Sequence, residues 1–145
     1  MVAQMDPTKL SEYEFLGGAN LKTIESASVM PISDVARELL EQWDFITTLS
    51  DLPVIRQCGD FVVVRLGSLD TGLLDKSGAL VGYYVGDGLL IEGTAVGKGL
   101  SVPLILAALP NRPVPSERTV TSRGEAALRK AWRVANGCDA SPWWP

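Results

Sequence analysis

The run from Leu100 to Leu109 constrains the fold of this chain more than any other segment. Its residues, LSVPLILAAL, are apolar on every side of a helix, so other elements must cover the helix on all faces. Pro103 is compatible with a helix that begins near residue 100, because proline is tolerated in a first turn and disrupts later ones. We therefore expect a buried helix over residues 100–109, closed by an extended linker with Pro110, Pro113 and Pro115.

The preceding residues predict strands that could cover this helix. Residues 79–85 are typical of a strand, Gly86-Asp87-Gly88 of a tight hairpin connection, and residues 89–92 of the returning strand. Residues 61–66 are β-branched and aromatic enough for another strand. The turn residues between 67 and 78 predict a loop.

Two amphipathic helices are expected at either side of this region. The first spans residues 33–46, with Ser33 as its N-cap and apolar residues at helical spacing, Val35, Leu39, Trp43 and Ile46. The second spans residues 126–136 after a capping box of Ser122 and Glu125, with Leu128, Trp132 and Ala135 inward. Short strands are predicted at residues 21–26 and 118–121.

The element order predicts an α/β fold of the layered α+β type, with a mainly antiparallel central sheet flanked by helices. The length of 145 residues and 46% hydrophobic content fit a single domain over residues 1–145, with an irregular stretch at 1–31 and a Trp-rich C-terminal tail at 141–145. No apolar run reaches the ~20 residues of a membrane helix, and the first ten residues lack the apolar core of a signal peptide. We expect a soluble, cytoplasmic protein without a membrane partner.

The chain contains no histidine, which excludes several mechanisms. Histidine is the usual general base near neutral pH, the commonest metal ligand and the middle member of catalytic triads. Cys58 and Cys138 are the only thiols, so one chain cannot supply a thiolate and imidazole zinc site. We expect no metal site and two reduced cysteines, with Cys58 buried as a small hydrophobic side chain.

Charge is distributed unevenly along the chain. Residues 1–60 carry ten acidic and four basic side chains, whereas residues 112–145 carry six basic and three acidic ones. The net charge of -4 disfavours a nucleic-acid partner, and Arg129, Lys130 and Arg133 are expected on the solvated face of one helix. Residues 119–128 nevertheless resemble the strand and helix that follow the wing of some winged-helix repressors, which leaves DNA binding as an alternative.

The segment from Leu89 to Leu100 combines a strand, a glycine turn and the start of the apolar helix. A helix N-terminus offers free N–H groups and a partial positive charge, glycine allows close approach to the backbone, and Lys98 adds a full charge. Such a turn could hold a pyrophosphate, although it could equally be a structural strand-to-helix connection. Its spacing, GTAVGKG over residues 93–99, fits neither a P-loop nor a dinucleotide fingerprint.

The string TAVGKG at residues 94–99, followed by LSVPLI, resembles the acyl-CoA turn of the GNAT acyltransferase superfamily. The resemblance covers about residues 79–109 and, more loosely, the helix at 33–46 and the strand at 61–66. Thr94 stands where that superfamily has Arg or Gln. The resemblance implies splayed strands that admit a pantetheine arm, and acetyl-CoA or another acyl-CoA held by Val96, Gly97, Lys98, Gly99, Leu100 and Ser101.

An N-acyltransferase acting on an amine acceptor would need a base other than histidine. Glu92 is the best placed candidate, because a carboxylate in an apolar cleft can have its pKa raised toward neutral pH. Tyr84 or the adjacent Tyr83 could supply an acid for the departing thiolate. For the tyrosines, packing in the sheet is an alternative role.

The end of the sequence suggests a second class of function. Trp143 and Trp144 follow each other at residues 141–145, SPWWP, and tryptophan is enriched at interface hot spots. The chain could therefore be a non-catalytic interaction or assembly protein, a homo-oligomer or a component of a larger particle, built on a GNAT-like scaffold. Alternatively, both tryptophans fold back on their own domain.

Overall fold

Seven strands and four α-helices make up the fold in the computed structural model, which describes residues 5–26, 29–42, 47–86, 88–115 and 117–144. The strands are β1 (Leu21–Ile24), β2 (Val54–Cys58), β3 (Phe61–Arg65), β4 (Thr71–Leu74), β5 (Leu80–Val85), β6 (Gly88–Ile91) and β7 (Arg118–Thr121). The helices are α1 (Glu12–Phe15), α2 (Ile32–Gln42), α3 (Ser101–Ala108) and α4 (Ser122–Ala135).

The central sheet is an antiparallel meander in which β2 to β6 lie in chain order. Adjacent residues of one strand point to opposite faces, as the two-residue period of a strand requires. Val63 belongs to the core on the α3 side, whereas Val64 packs in the core beneath α2. Tyr84 and Tyr83 divide between the same two cores. The sheet is therefore covered by helices on both faces, which confirms the predicted layered class.

The apolar helix is buried as its sequence predicts. All residues of α3 from Val102 to Ala108 are buried, because α3 packs against the sheet on one side and against α4 on the other. Pro103 lies in its first turn, where proline costs no helical hydrogen bond. Within the described residues, no helix is long and apolar enough to cross a membrane.

A separate two-stranded sheet joins distant parts of the chain. β1 and β7 pair in parallel, with Leu21 opposite Arg118 and Ile24 opposite Thr121. Both short strands were predicted from the sequence. Their parallel pairing differs from the antiparallel hairpin of a wing, so the winged-helix resemblance of residues 119–128 is not supported by this topology.

The predicted hairpin is confirmed, whereas β2 and β4 were not predicted from the sequence. β5 and β6 form the predicted antiparallel hairpin, although Asp87 at its tip is outside the described residues. The predicted loop at 67–78 is wrong, because β4 lies within it between two turns. β2 was also missed.

Both long amphipathic helices begin earlier than the sequence predicts, α2 at Ile32 instead of residue 33 and α4 at Ser122 instead of residue 126. Ser33 lies inside α2, which begins at Ile32; the predicted continuation through Trp43 and Ile46 lies outside the described residues. The cap of α4 is Thr121 rather than Ser122, because the Thr121 hydroxyl accepts a hydrogen bond from the Gly124 N–H at 3.1 Å. Two hydroxyl residues in succession make this one-residue shift hard to predict.

The basic face of α4 is neutralised by ion pairs. Arg129 pairs with Glu12 and Glu125, and both Lys130 and Arg133 pair with Asp139. All three basic side chains are about half exposed, so they form a solvated, ion-paired face. This arrangement confirms the prediction that these residues lie on the solvated face of one helix.

Residues 141–144, called the Trp segment below, pack against their own domain. The Arg56 Nε donates a hydrogen bond to the Trp143 carbonyl at 2.6 Å, and the Arg56 guanidinium lies 4.5 Å from the centre of the Trp144 ring. Of the two alternatives for the tryptophans, the structure supports packing on the own domain. Both tryptophans remain partly exposed in this packing, and an assembly partner for them stays a prediction.

Thiol labelling of the native protein should modify Cys138 and leave Cys58 unmodified. Both cysteines are free; Cys138 is exposed, whereas Cys58 is fully buried and its burial raises the pKa of its thiol. Because the thiolate is the reactive form, both factors slow the reaction of Cys58. Titration with Ellman's reagent should give one thiol in native buffer and two in denaturant. Two rapidly reacting native thiols would contradict the buried position of Cys58.

Candidate functional site

A cleft of about 490 Å³ lies between β6 and β7 at the point where α3 begins. It is called the β6–β7 cleft. The two strands belong to different sheets, so among the described strands no ladder of backbone hydrogen bonds closes the space between them. The cleft is lined by β6, by Ala95, Val96, Gly97, Gly99, Leu100 and Ser101, by residues 119–121, and by Arg123, Gly124 and Val29.

The glycine turn forms one side of the β6–β7 cleft because its backbone needs conformations that other residues rarely adopt. Gly97 has φ of 79° and Gly99 has φ of 73°. A Cβ atom placed on either glycine would meet no atom within 4 Å, so the conformation and not lack of space requires glycine. The open space in front of both residues is available to a ligand.

Lys98 lies between these glycines but does not line the cleft. Its ammonium group lies 5.9 Å from the centre of the Phe61 ring, and its carbonyl accepts a hydrogen bond from the Trp143 indole at 2.7 Å. Five of the six residues predicted to hold a cofactor therefore line the cleft, namely Val96, Gly97, Gly99, Leu100 and Ser101. Lys98 is the exception, because its side chain extends toward the Phe61 ring of β3.

Arg123 is the charged residue of the cleft that the sequence analysis missed. It lies in the first turn of α4 and is the only charged side chain among the described lining residues. Hydroxyl groups of Ser101, Thr119 and Thr121 accompany it, and the remaining lining is largely apolar. The cleft thus combines an apolar wall from β6 with one cation near the N-terminus of α3.

The structure does not bring the predicted catalytic residues to the cleft. Tyr84 is 1% exposed, its hydroxyl accepts a hydrogen bond from Arg118 at 3.3 Å, and the Arg112 guanidinium lies 3.9 Å from its ring centre. Glu92 is exposed at the end of β6 and is outside the cleft lining, so the apolar surroundings expected for a general base are absent. Neither Glu92 nor Tyr84 therefore faces the β6–β7 cleft, and their catalytic roles stay predictions.

Tyr83 is also held away from the cleft. Its hydroxyl donates to the Met30 carbonyl at 2.7 Å on the α2 side of the sheet. Burial, together with the nearby Glu92 carboxylate, raises the pKa of the Tyr83 hydroxyl. A tyrosine with a raised pKa is a weaker acid, and sheet packing is the role that its position supports.

The described residues contain no group of three or more acidic or cysteine side chains arranged to hold a metal ion. Comparison with known proteins gives no match: no protein-family model fits the chain, no curated protein is significantly similar in sequence, and no solved structure is significantly similar in fold. The function of the protein must therefore be inferred from the chemistry of the β6–β7 cleft.

Proposed function

We propose that this protein binds an acyl-CoA in the β6–β7 cleft. The observation that carries the proposal is the opening at the glycine turn before α3, between two strands that do not pair with each other. The acyl-pantetheine arm would lie along the apolar residues of β6 and Val120. The pyrophosphate would lie at the glycine turn, where Gly97 and Gly99 leave the backbone accessible.

The electrostatics of the cleft favour an anionic group at this end. The N-terminus of α3 carries a partial positive charge from the aligned peptide dipoles. Arg123 adds a full charge from the opposite wall, and a guanidinium can donate two parallel hydrogen bonds to a phosphate. An apolar channel that ends at two sources of positive charge matches the chemistry of a pantetheine chain attached to a pyrophosphate.

Acyl-CoA binding is supported more strongly than acyl transfer. The described lining residues include no carboxylate or other side chain suited to accept a proton near pH 7. N-acyl transfer to an amine would therefore need a base from elsewhere or a substrate that arrives as the free amine. We rank a non-catalytic acyl-CoA-binding role first and the N-acyltransferase role second.

Reversing the charge of Arg123 should weaken acetyl-CoA binding at least tenfold. Arg123→Glu replaces a favourable charge-assisted contact to phosphate by a repulsive one, and a tenfold change corresponds to about 1.4 kcal/mol. Isothermal titration calorimetry with acetyl-CoA measures the change. The matched control is Lys76→Glu, the same charge reversal at an exposed residue between β4 and β5 that is outside the β6–β7 cleft lining.

A ligand without phosphate distinguishes the contribution of the apolar wall to binding from that of Arg123. Binding of S-acetylpantetheine should be weak and equal in the parent protein and Arg123→Glu, because this compound has no group for Arg123 to contact. Equal acetyl-CoA affinities of Arg123→Glu and Lys76→Glu would contradict the assigned phosphate contact. Absence of acetyl-CoA binding by the parent protein at millimolar ligand would reject the proposed function.

A further inference from the structure

The glycine turn contacts the Trp segment on the side that does not line the β6–β7 cleft. The Trp143 indole Nε1–H donates a short hydrogen bond to the Lys98 carbonyl at 2.7 Å. Lys98 is the turn residue that does not line the cleft, whereas Gly97 and Gly99 on either side of it do. One backbone segment therefore has the cleft on one side and Trp143 on the other.

The indole is itself held by a different part of the sheet. Atoms of the Trp143 ring would lie 3.2 to 3.3 Å from a Cβ on Gly59, so the ring packs closely over the turn between β2 and β3. The Arg56 Nε in β2 donates to the Trp143 carbonyl at 2.6 Å. Trp143 thus bridges the β2–β3 turn and the turn that leads into α3.

Two glycines with positive φ make the backbone at residues 97–99 unusually free to change conformation. Gly97 and Gly99 have no side chains, so nothing within the turn itself restricts its backbone. A hydrogen bond to the intervening carbonyl from a ring anchored on Gly59 and Arg56 restricts it from outside. Restriction of a binding turn before the ligand arrives increases affinity, since less conformational entropy is lost on binding.

We infer that Trp143 is a positioning residue that holds the Gly97–Gly99 turn in the conformation that receives phosphate. This inference rests on the proposed acyl-CoA binding, although the holding contact can be measured without a ligand. Trp143 does not line the β6–β7 cleft, so its effect on binding is exerted through the turn. The indole N–H is the group through which Trp143 holds the turn.

The experiment compares Trp143→Phe with Trp144→Phe. Trp143→Phe keeps an aromatic side chain but removes the indole N–H that donates to Lys98, together with the outer ring atoms that pack over Gly59. Trp144→Phe makes the same chemical change one residue along, at a ring that contacts Arg56. Thermal unfolding of both variants establishes that each one remains folded.

Backbone ¹⁵N relaxation of the ligand-free proteins measures the holding contact. In Trp143→Phe the order parameters of Gly97, Lys98 and Gly99 should fall from about 0.85 to below about 0.6, the ranges of rigid and flexible backbone. In Trp144→Phe they should stay at the parent value. Unchanged order parameters at the turn in Trp143→Phe would overturn the inference.

Calorimetry with acetyl-CoA then tests the consequence for binding. Loss of one hydrogen bond in the free protein should raise the Kd of Trp143→Phe about fivefold over both the parent protein and Trp144→Phe. A flexible turn with unchanged Kd would overturn the positioning role. Absence of binding by the parent protein would reject the proposed function and the role in binding together, whereas the order parameters would still decide whether Trp143 holds the turn.

Discussion

Replacing Arg112 by alanine should lower the free energy of unfolding by about 3 kcal/mol, because a buried guanidinium with several acceptors would be lost. The residue is 8% exposed, and it donates to the carbonyls of Leu69 at 2.8 Å and Gly86 at 2.6 Å. It also pairs with Asp70 at 3.4 Å and covers the Tyr84 ring. Arg112→Ala leaves these groups without their partner.

Arg37→Ala is the matched control for Arg112→Ala. Arg37 lies on α2 with its side chain 63% exposed and pairs with Asp34 at 3.3 Å. Such a surface pair contributes about 0.2 to 1 kcal/mol, so this variant should unfold near the parent midpoint. Urea denaturation followed by circular dichroism measures both. Similar losses for the two variants would show that Arg112 does not organise the loops after β3 and β5.

Truncating Leu104 should cost about 2 to 5 kcal/mol, the range for a buried leucine replaced by alanine. Leu104 is fully buried in the middle of α3, between the sheet and α4. Its carbonyl also accepts a hydrogen bond from the buried Thr71 hydroxyl at 2.7 Å, which fixes α3 against β4. A tightly held helix relaxes little around a cavity, so we expect a value above the middle of this range.

Leu40→Ala provides the same chemical change on the surface of α2, where Leu40 is 41% exposed. Its expected cost is below about 1 kcal/mol, because little apolar area returns to water. Guanidinium denaturation of both variants gives the difference directly. Equal costs would mean that α3 is not enclosed by the sheet and α4.

The elements predicted correctly are those whose signal is local. The hairpin of β5 and β6 has glycine at its tip and β-branched or aromatic residues beside it, and α3 is apolar throughout. β4 gave no such signal. Its four residues, TGLL, are buried on both faces and stand among turn residues, so neither alternation nor length distinguishes them from a loop.

The residues of the candidate site likewise include some that the sequence predicts and some that it does not. The glycines of the turn are visible in the sequence because a positive φ requires glycine. Arg123 was not visible, since its position at the cleft depends on β7 pairing with β1 and on α4 starting beside α3. Glu92 and Tyr84 lie outside the cleft lining for a related reason: strand position alone does not decide which side chain faces a cleft between two sheets.

The parallel pairing of β1 with β7 has a consequence for how the chain folds. Each contact in the β2–β6 meander joins neighbouring segments, so its loops close at small entropic cost. Leu21 and Arg118, in contrast, are separated by most of the chain, so their pairing closes a much longer loop at a larger entropic cost. In the sequence, β7 is followed directly by α4, whose first turn carries Arg123 and forms one wall of the cleft. The meander, including the β5–β6 hairpin, should therefore form early. The binding cleft should be completed among the last steps of folding.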